Sequence, residues 1–262
     1  MALDRQQTPI PTLRWHWHWK LLLFAGLFLP LTAALGFWQL QRADEKRLLL
    51  DLQQQREANG PQPFASISAD ADNQFLAVRV VGHFDNERTV LLDNRVRHGQ
   101  PGYEAVSLFK AVASDQWLLV NRGWLAGGLD RRVLPSVPKV TGEQTLTGHL
   151  YRQTTPPLRL GENGWQQQQW PQVVQFLQPA EAEPWVGDRL FPYLLRLDQR
   201  APGALQTGWT IVNVQPGKHI GYAVQWFAMA VTLLILTVFA SSNLGAVLRG
   251  RFGKTGDGSA DE

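Results

Sequence analysis

Two stretches without a single charged residue, 21–41 and 220–248, constrain this chain more than any other feature. Crossing roughly 30 Å of hydrocarbon takes about 20 helical residues, so each is long enough to span a bilayer. No water is present there to satisfy backbone groups, and a helix is the form such a segment takes. The intervening stretch of about 175 residues has the length of one domain. The expected order is a tail over 1–20, a transmembrane helix over 21–41, a domain over 42–218, a second transmembrane helix over 219–241 and a tail over 242–262.

A cleaved signal peptide competes for the first stretch. Its apolar core of about 20 residues exceeds the roughly 7–15 of a signal peptide. Small residues around Ala34-Leu35-Gly36 leave cleavage open, but helical patterning continues through Trp38, Arg42, Lys46 and Leu48 to Gln55. An uncleaved anchor that continues as a juxtamembrane helix to about 58, ahead of Asn59-Gly60-Pro61, accounts for more of the sequence. Orientation rests on the lysines and arginines beside the spans. Arg249, Arg251 and Lys254 follow the second span, and Lys218 alone closely precedes it. The expectation is therefore that both termini are cytoplasmic and that 42–218 faces the periplasm or its topological equivalent.

Charge and cysteine content narrow the chemistry. The net charge is only +3 and basic residues are scattered, so no nucleic-acid partner is expected. The absence of cysteine excludes disulfides, thiol exchange, cysteine-ligated zinc and thiolate copper carriage. Eleven tryptophans are present, three of them in Trp15-His16-Trp17-His18-Trp19-Lys20. That run reads either as a metal or haem site built on two imidazoles or as an aromatic belt at headgroup level. On a helix His16 and His18 would point about 200° apart, which favours the belt.

Between the spans the apolar period changes from helix-like to strand-like. Short β-branched and aromatic runs occupy 75–84, 88–93, 102–109, 116–122, 144–150, 172–177, 190–197 and 209–214. Asp85-Asn86, His98-Gly99 and Ala126-Gly127-Gly128 read as turns between them, and 135–139 and 161–171 as surface loops. The fold class expected is α+β: two transmembrane helices flanking a mainly antiparallel sheet or small barrel, with a juxtamembrane helix.

No nucleophile elbow, phosphate-binding loop, dinucleotide fingerprint or zinc-protease motif occurs. His83, His98 and His149 lie on or beside expected strands, where a satisfied or solvent-facing imidazole is the default. The informative groups stand at the mouth of the second span. His219, Tyr222 and Trp226 fall at i, i+3 and i+7, one stripe of a helix entering the bilayer. An imidazole beside flat rings can hold a planar lipophilic cofactor through its iron. The same stripe also reads as interfacial anchoring, with His at the water line and Tyr and Trp in the belt.

A series of short motifs adds to these residues. Trp38-Gln39-Leu40-Gln41-Arg42 with Lys46, Val80-Val81-Gly82-His83-Phe84-Asp85, Asn94-Arg95, Gly99-Gln100-Pro101-Gly102-Tyr103, Leu119-Val120-Asn121-Arg122-Gly123-Trp124 and Lys218-His219, Tyr222-Ala223, Gln225-Trp226 follow one another between two spans. In this order they resemble the Surfeit locus protein 1 family of cytochrome c oxidase assembly factors, in its bacterial members. The 161–171 segment and the Trp/His tail depart from that pattern. The resemblance implies an accessory protein of the inner membrane, not an enzyme, that assists haem a delivery or insertion into the oxidase core subunit. It implies haem a as cofactor, with His219 on the haem iron and Tyr222 and Trp226 as packing surfaces. Arg122 or Arg42 is a candidate partner for a haem propionate. The expected partners are the oxidase core subunit, haem a biosynthesis enzymes and membrane lipid. A cofactor-free scaffold for the nascent subunit and a two-span periplasmic sensor are the alternatives, the latter with a C-terminal tail too short for an output module.

Overall fold

The computed structural model describes residues 12–128, 130–153, 164–165, 169–211 and 214–252, with side chains as far as Arg249. Lys254, most of the 161–171 loop and positions 212–213 of an expected strand lie outside the described residues. In chain order the elements are α1 (Trp19–Ala58), β1 (Gln62–Pro63), β2 (Ala77–Arg97), β3 (Gln100–Ala111), β4 (Trp117–Ala126), β5 (Gln144–Tyr151), β6 (Gln172–Val174), α2 (Pro179–Val186), β7 (Leu190–Leu197), α3 (Pro216–Ala240) and α4 (Leu244–Phe252). They form two compact units, one from the two chain ends up to Leu48 and from position 212, the other from Leu49 to Ile211.

In the first unit α1 and α3 are long and apolar enough to cross a membrane, and only 17% and 11% of their most apolar windows are buried. That exposure separates them from the core helix of a soluble protein, whose apolar residues would be covered. The two helices meet through small residues, as membrane helices do when packing replaces the hydrophobic effect. Ala223 is buried, and a Cβ at Gly36 would lie 2.6 Å from Phe227 Cε1. Phe227 in turn packs edge-on against Phe37, with ring centroids 5.1 Å apart.

The ends of this unit are tied together. His16 N donates to Ser241 O at 2.8 Å, Arg14 N to Asn243 Oδ1 at 2.6 Å, and Asn243 Nδ2 to Thr12 O at 2.8 Å. Trp15 and Ser242 form an antiparallel bridge. His16 and His18 therefore sit ahead of α1, not on a helix, with His18 N donating to His16 O at 3.1 Å, and the flanking Trp15, Trp17 and Trp19 are exposed.

The second unit is built on a sheet that closes. β2, β3, β4, β7 and β5 are hydrogen-bonded in that order, and β5 returns to β2. Alternation makes the interior: Val78, Val80 and Phe84 of β2, Leu118 and Val120 of β4, Leu146 and Leu150 of β5, and Tyr193, Leu195 and Leu197 of β7 form one buried cluster. Val106, Leu108, Leu119, Leu190 and Leu194 face the other way and are covered by Ala182 and Val186 of α2. Gly82 is where β2 pairs with Ala111 of β3 and Gln144 of β5 at once. A side chain there would run into the Lys110 carbonyl and the Phe109 ring, so the crossing needs glycine.

The sheet is mixed and mainly antiparallel, with short parallel β1–β2, β2–β6 and β4–β7 ladders beside four antiparallel ones. Three expectations are corrected. Asp85-Asn86 does not end a strand: β2 runs through it with a register shift between Asp85 and Thr89. The Asp85 carboxylate accepts Glu87 N, Arg88 N and Arg88 Nε, while Asn86 exchanges two hydrogen bonds with the Val140 backbone, so the bulge is satisfied without a turn. Residues 209–211 are not a strand. The chain makes a single bridge at Gln206 with Trp124 and then leaves the sheet at Gly208, whose φ is +116°. Finally, α2 lies where no helix is expected, with Pro179 in its first turn and Gly187 closing it at φ +81°. The His98-Gly99 turn is as expected, both residues taking the positive φ that a two-residue hairpin requires.

Candidate functional site

In the first unit Pro216 opens α3, lacking only the N–H that a first turn would leave unpaired, and Lys218, His219 and Tyr222 follow on that helix. His219 is half-buried, Trp226 is half-buried, and Tyr222 is 51% exposed. The His219 ring is held by a residue 180 positions away: its Nδ1 lies 2.8 Å from Gln39 Oε1 on α1. An amide oxygen only accepts, so this contact uses the hydrogen on Nδ1, and in the neutral ring the lone pair is on Nε2. Orienting one ring nitrogen by a hydrogen bond to free the other is how a metal-binding imidazole is prepared. The residues thus fit a planar iron-bearing group: one directed nitrogen, with an open tyrosine ring and a tryptophan on the same helical stripe. Gln39 belongs to the Trp38–Arg42 motif, but sequence spacing gives no sign that it reaches His219.

The two arginines considered for an anionic substituent differ. Arg42 bonds Glu45 at 2.6 Å and lies over the Trp38 ring at 5.6 Å, in the first unit. Arg122 is 2% exposed in the second unit, donates to Gly203 O at 2.7 Å and faces Phe84 at 5.3 Å. Burial pushes its pKa down, and its place is structural. Among the described residues no three His, Cys, Asp or Glu side chains cluster as a metal site.

The second unit has polar chemistry of its own on the outer face of β5 and β7. His149 Nδ1 is 3.3 Å from Asp198 Oδ1 and its Nε2 is 3.8 Å from Glu57 Oε1. The hydrogen bond that the imidazole donates to Asp198 raises the His149 pKa against the opposing effect of burial, and the same bond lowers that of Asp198. Arg196, beside them on β7, is pushed down by burial. A neighbouring cavity of about 290 Å³ is lined by these residues with Tyr151, Trp209 and Phe75. His83 and His98 make no such arrangement: His83 lies 3.9 Å from Glu143 on open surface, and His98 is in a turn.

Comparison with known proteins agrees on one family. The model described as "SURF1 family" matches residues 26–231. A SURF1-like protein of Rickettsia felis is 26% identical over 224 residues, covering 82% of this chain and 93% of that protein. Those of Rickettsia bellii, at 27% over 220 residues, and Rickettsia conorii, at 26% over 215, cover 77% and 78% of this chain and 83% and 84% of their own lengths.

Proposed function

This chain belongs to the SURF1 family, known for oxidase assembly, and from that premise we propose that it assists maturation of a haem-copper cytochrome c oxidase by holding haem a beside the nascent core subunit. The observation that carries this reading is the His219–Gln39 hydrogen bond, which holds the ring through Nδ1 and leaves Nε2 as the nitrogen open to a ligand. Haem a, when bound, brings an iron that accepts such a nitrogen. The chain's own residues do the rest: Gln39 fixes the tautomer, His219 offers Nε2, and Tyr222 and Trp226 present flat faces to the ring system. The oxidase core subunit is the protein partner, and haem a biosynthesis enzymes are the source of the cofactor. Lipid surrounds α1 and α3.

The setting is a bacterial inner membrane with both termini cytoplasmic and the β domain periplasmic. Arg249 and Arg251 after the second span support this side assignment. The bonds between positions 12–16 and 241–243 support putting both ends on one face of the membrane.

The test is an absorption spectrum of protein purified from a host that makes haem a. Wild type is expected to carry a haem a Soret band, and His219→Ala to lose it while remaining folded and membrane-inserted. Gln39→Leu keeps the ligand but frees the ring, so haem should be retained with affinity lower by about 10–100-fold. His83→Ala should leave the band in place. An unchanged spectrum in His219→Ala overturns the haem reading and leaves a cofactor-free scaffold, for which co-purification of the core subunit is then the readout.

A further inference from the structure

The cavity on the outer face of β5 and β7 carries a charge pattern that its own residues do not close. Arg196 lines its inner part. The guanidinium carbon is 3.3 Å from the Tyr151 ring centroid and 5.1 Å from that of Trp209, and Nη1 is buried without an acceptor among the described residues. A buried guanidinium nitrogen left unbonded is costly and uncommon, so it asks for a partner. The acids nearby have partners of their own. Glu104 takes Asn121 Nδ2 at 2.7 Å and lies 3.9 Å from Arg95, and Asp198 is paired with His149. Glu57 stands at the rim, its side chain 46% exposed; its Oε1 accepts Gln53 Nε2 at 2.6 Å and lies 3.8 Å from the imidazole, which leaves the carboxylate capacity for a further donor.

A cation set deep and a carboxylate set at the mouth, with aromatic walls between, complement a molecule of opposite polarity. The walls are also held in place. Trp209 Nε1 donates to Leu197 O at 2.9 Å, and Arg97 bonds the Gln206 and Gly208 carbonyls at 2.6 and 2.8 Å, which pins the strap that carries Trp209. We propose that this cavity binds a small zwitterion, its carboxylate on Arg196, its ammonium at Glu57 and its apolar body against Trp209 and Phe75. The planar fork of arginine suits a carboxylate, and the volume of about 290 Å³, at the low end for small-molecule sites, suits a ligand of amino-acid size.

Calorimetry on the full chain in detergent, with L-phenylalanine as probe, tests this. Wild type should bind it with a dissociation constant of about 1 mM or below. Arg196→Gln should weaken binding about tenfold or more, by leaving the carboxylate without its charged partner. Glu57→Gln, a change on an exposed helix end that leaves the core untouched, should weaken phenylalanine several-fold and leave 3-phenylpropionate, which lacks the ammonium, unaffected. Phenethylamine, which lacks the carboxylate, should not respond to Arg196→Gln. No heat from phenylalanine up to about 30 mM, equal affinity in both variants, or 3-phenylpropionate binding as tightly as phenylalanine each overturns the proposal.

Discussion

His149 sits between two carboxylates, and its charge state links the β domain to pH. Its pKa is raised above the ordinary 6.5, so the stabilisation it gives is complete below 6.5 and fades as pH climbs through the higher folded value. The pKa of Asp198 is lowered below 3.8, so its share is present above 3.8 and is lost as pH falls through the lower folded value. Between those limits the pair is intact. The difference in thermal stability between wild type and His149→Ala should therefore be largest from about pH 4 to 6.5 and shrink above it. About 1 kcal/mol is expected at the maximum, since Asp198 is 41% exposed and water screens the pair. A difference that stays flat from pH 5 to 9 would remove the pair from any account of stability. None of this is legible at Gly148-His149-Leu150, where a histidine on a strand reads as satisfied or solvent-facing. Asp198 and Glu57 reach it from opposite sides only after β5 and β7 are paired. Gln39 is hidden from the sequence for the same reason, with 180 positions between it and His219.

At the scale of elements, the spans and most strands are legible because their periods are strong, and the failures have local causes. Asp85 and Asn86 carry turn chemistry, but their side chains bond the Arg88 and Val140 backbones and let β2 continue through a bulge. Helix α2 is short and contains Pro184, so no long apolar period betrays it; it is read only through Pro179, Gly187 and its burial against Leu190 and Leu194. Trp209-Thr210-Ile211 has strand composition, yet the Trp209 ring is drawn onto Arg196 and its N–H onto Leu197 O instead of entering a ladder. The β2 crossing gives a direct test of how the sheet closes. Gly82→Ala should cost about 3 kcal/mol, because the added carbon meets the Lys110 carbonyl and the Phe109 ring, neither of which is free to withdraw. Gly60→Ala, at a positive φ but with open space around it, should cost only about 1 kcal/mol. Chemical denaturation of the two variants checks the ranking, and a reversed order would contradict closure at this point.

For the whole molecule the decisive question is which side of the membrane each part occupies. A cytoplasm-active reporter fused after Glu262 should be active, and a periplasm-active reporter inserted near Gly128 should be active too. Opposite results at both positions would invert the topology. The bonds between Thr12, Arg14 and His16 and the 241–243 turn give a second handle, because they require the two ends to share a compartment. They also say something about time. The ribosome delivers Arg14 229 residues before Asn243, so the N-terminal segment has no partner while the β domain is being made. The knot of tail against tail is among the last native contacts that synthesis permits, and it closes only on a chain whose second long helix has already been made.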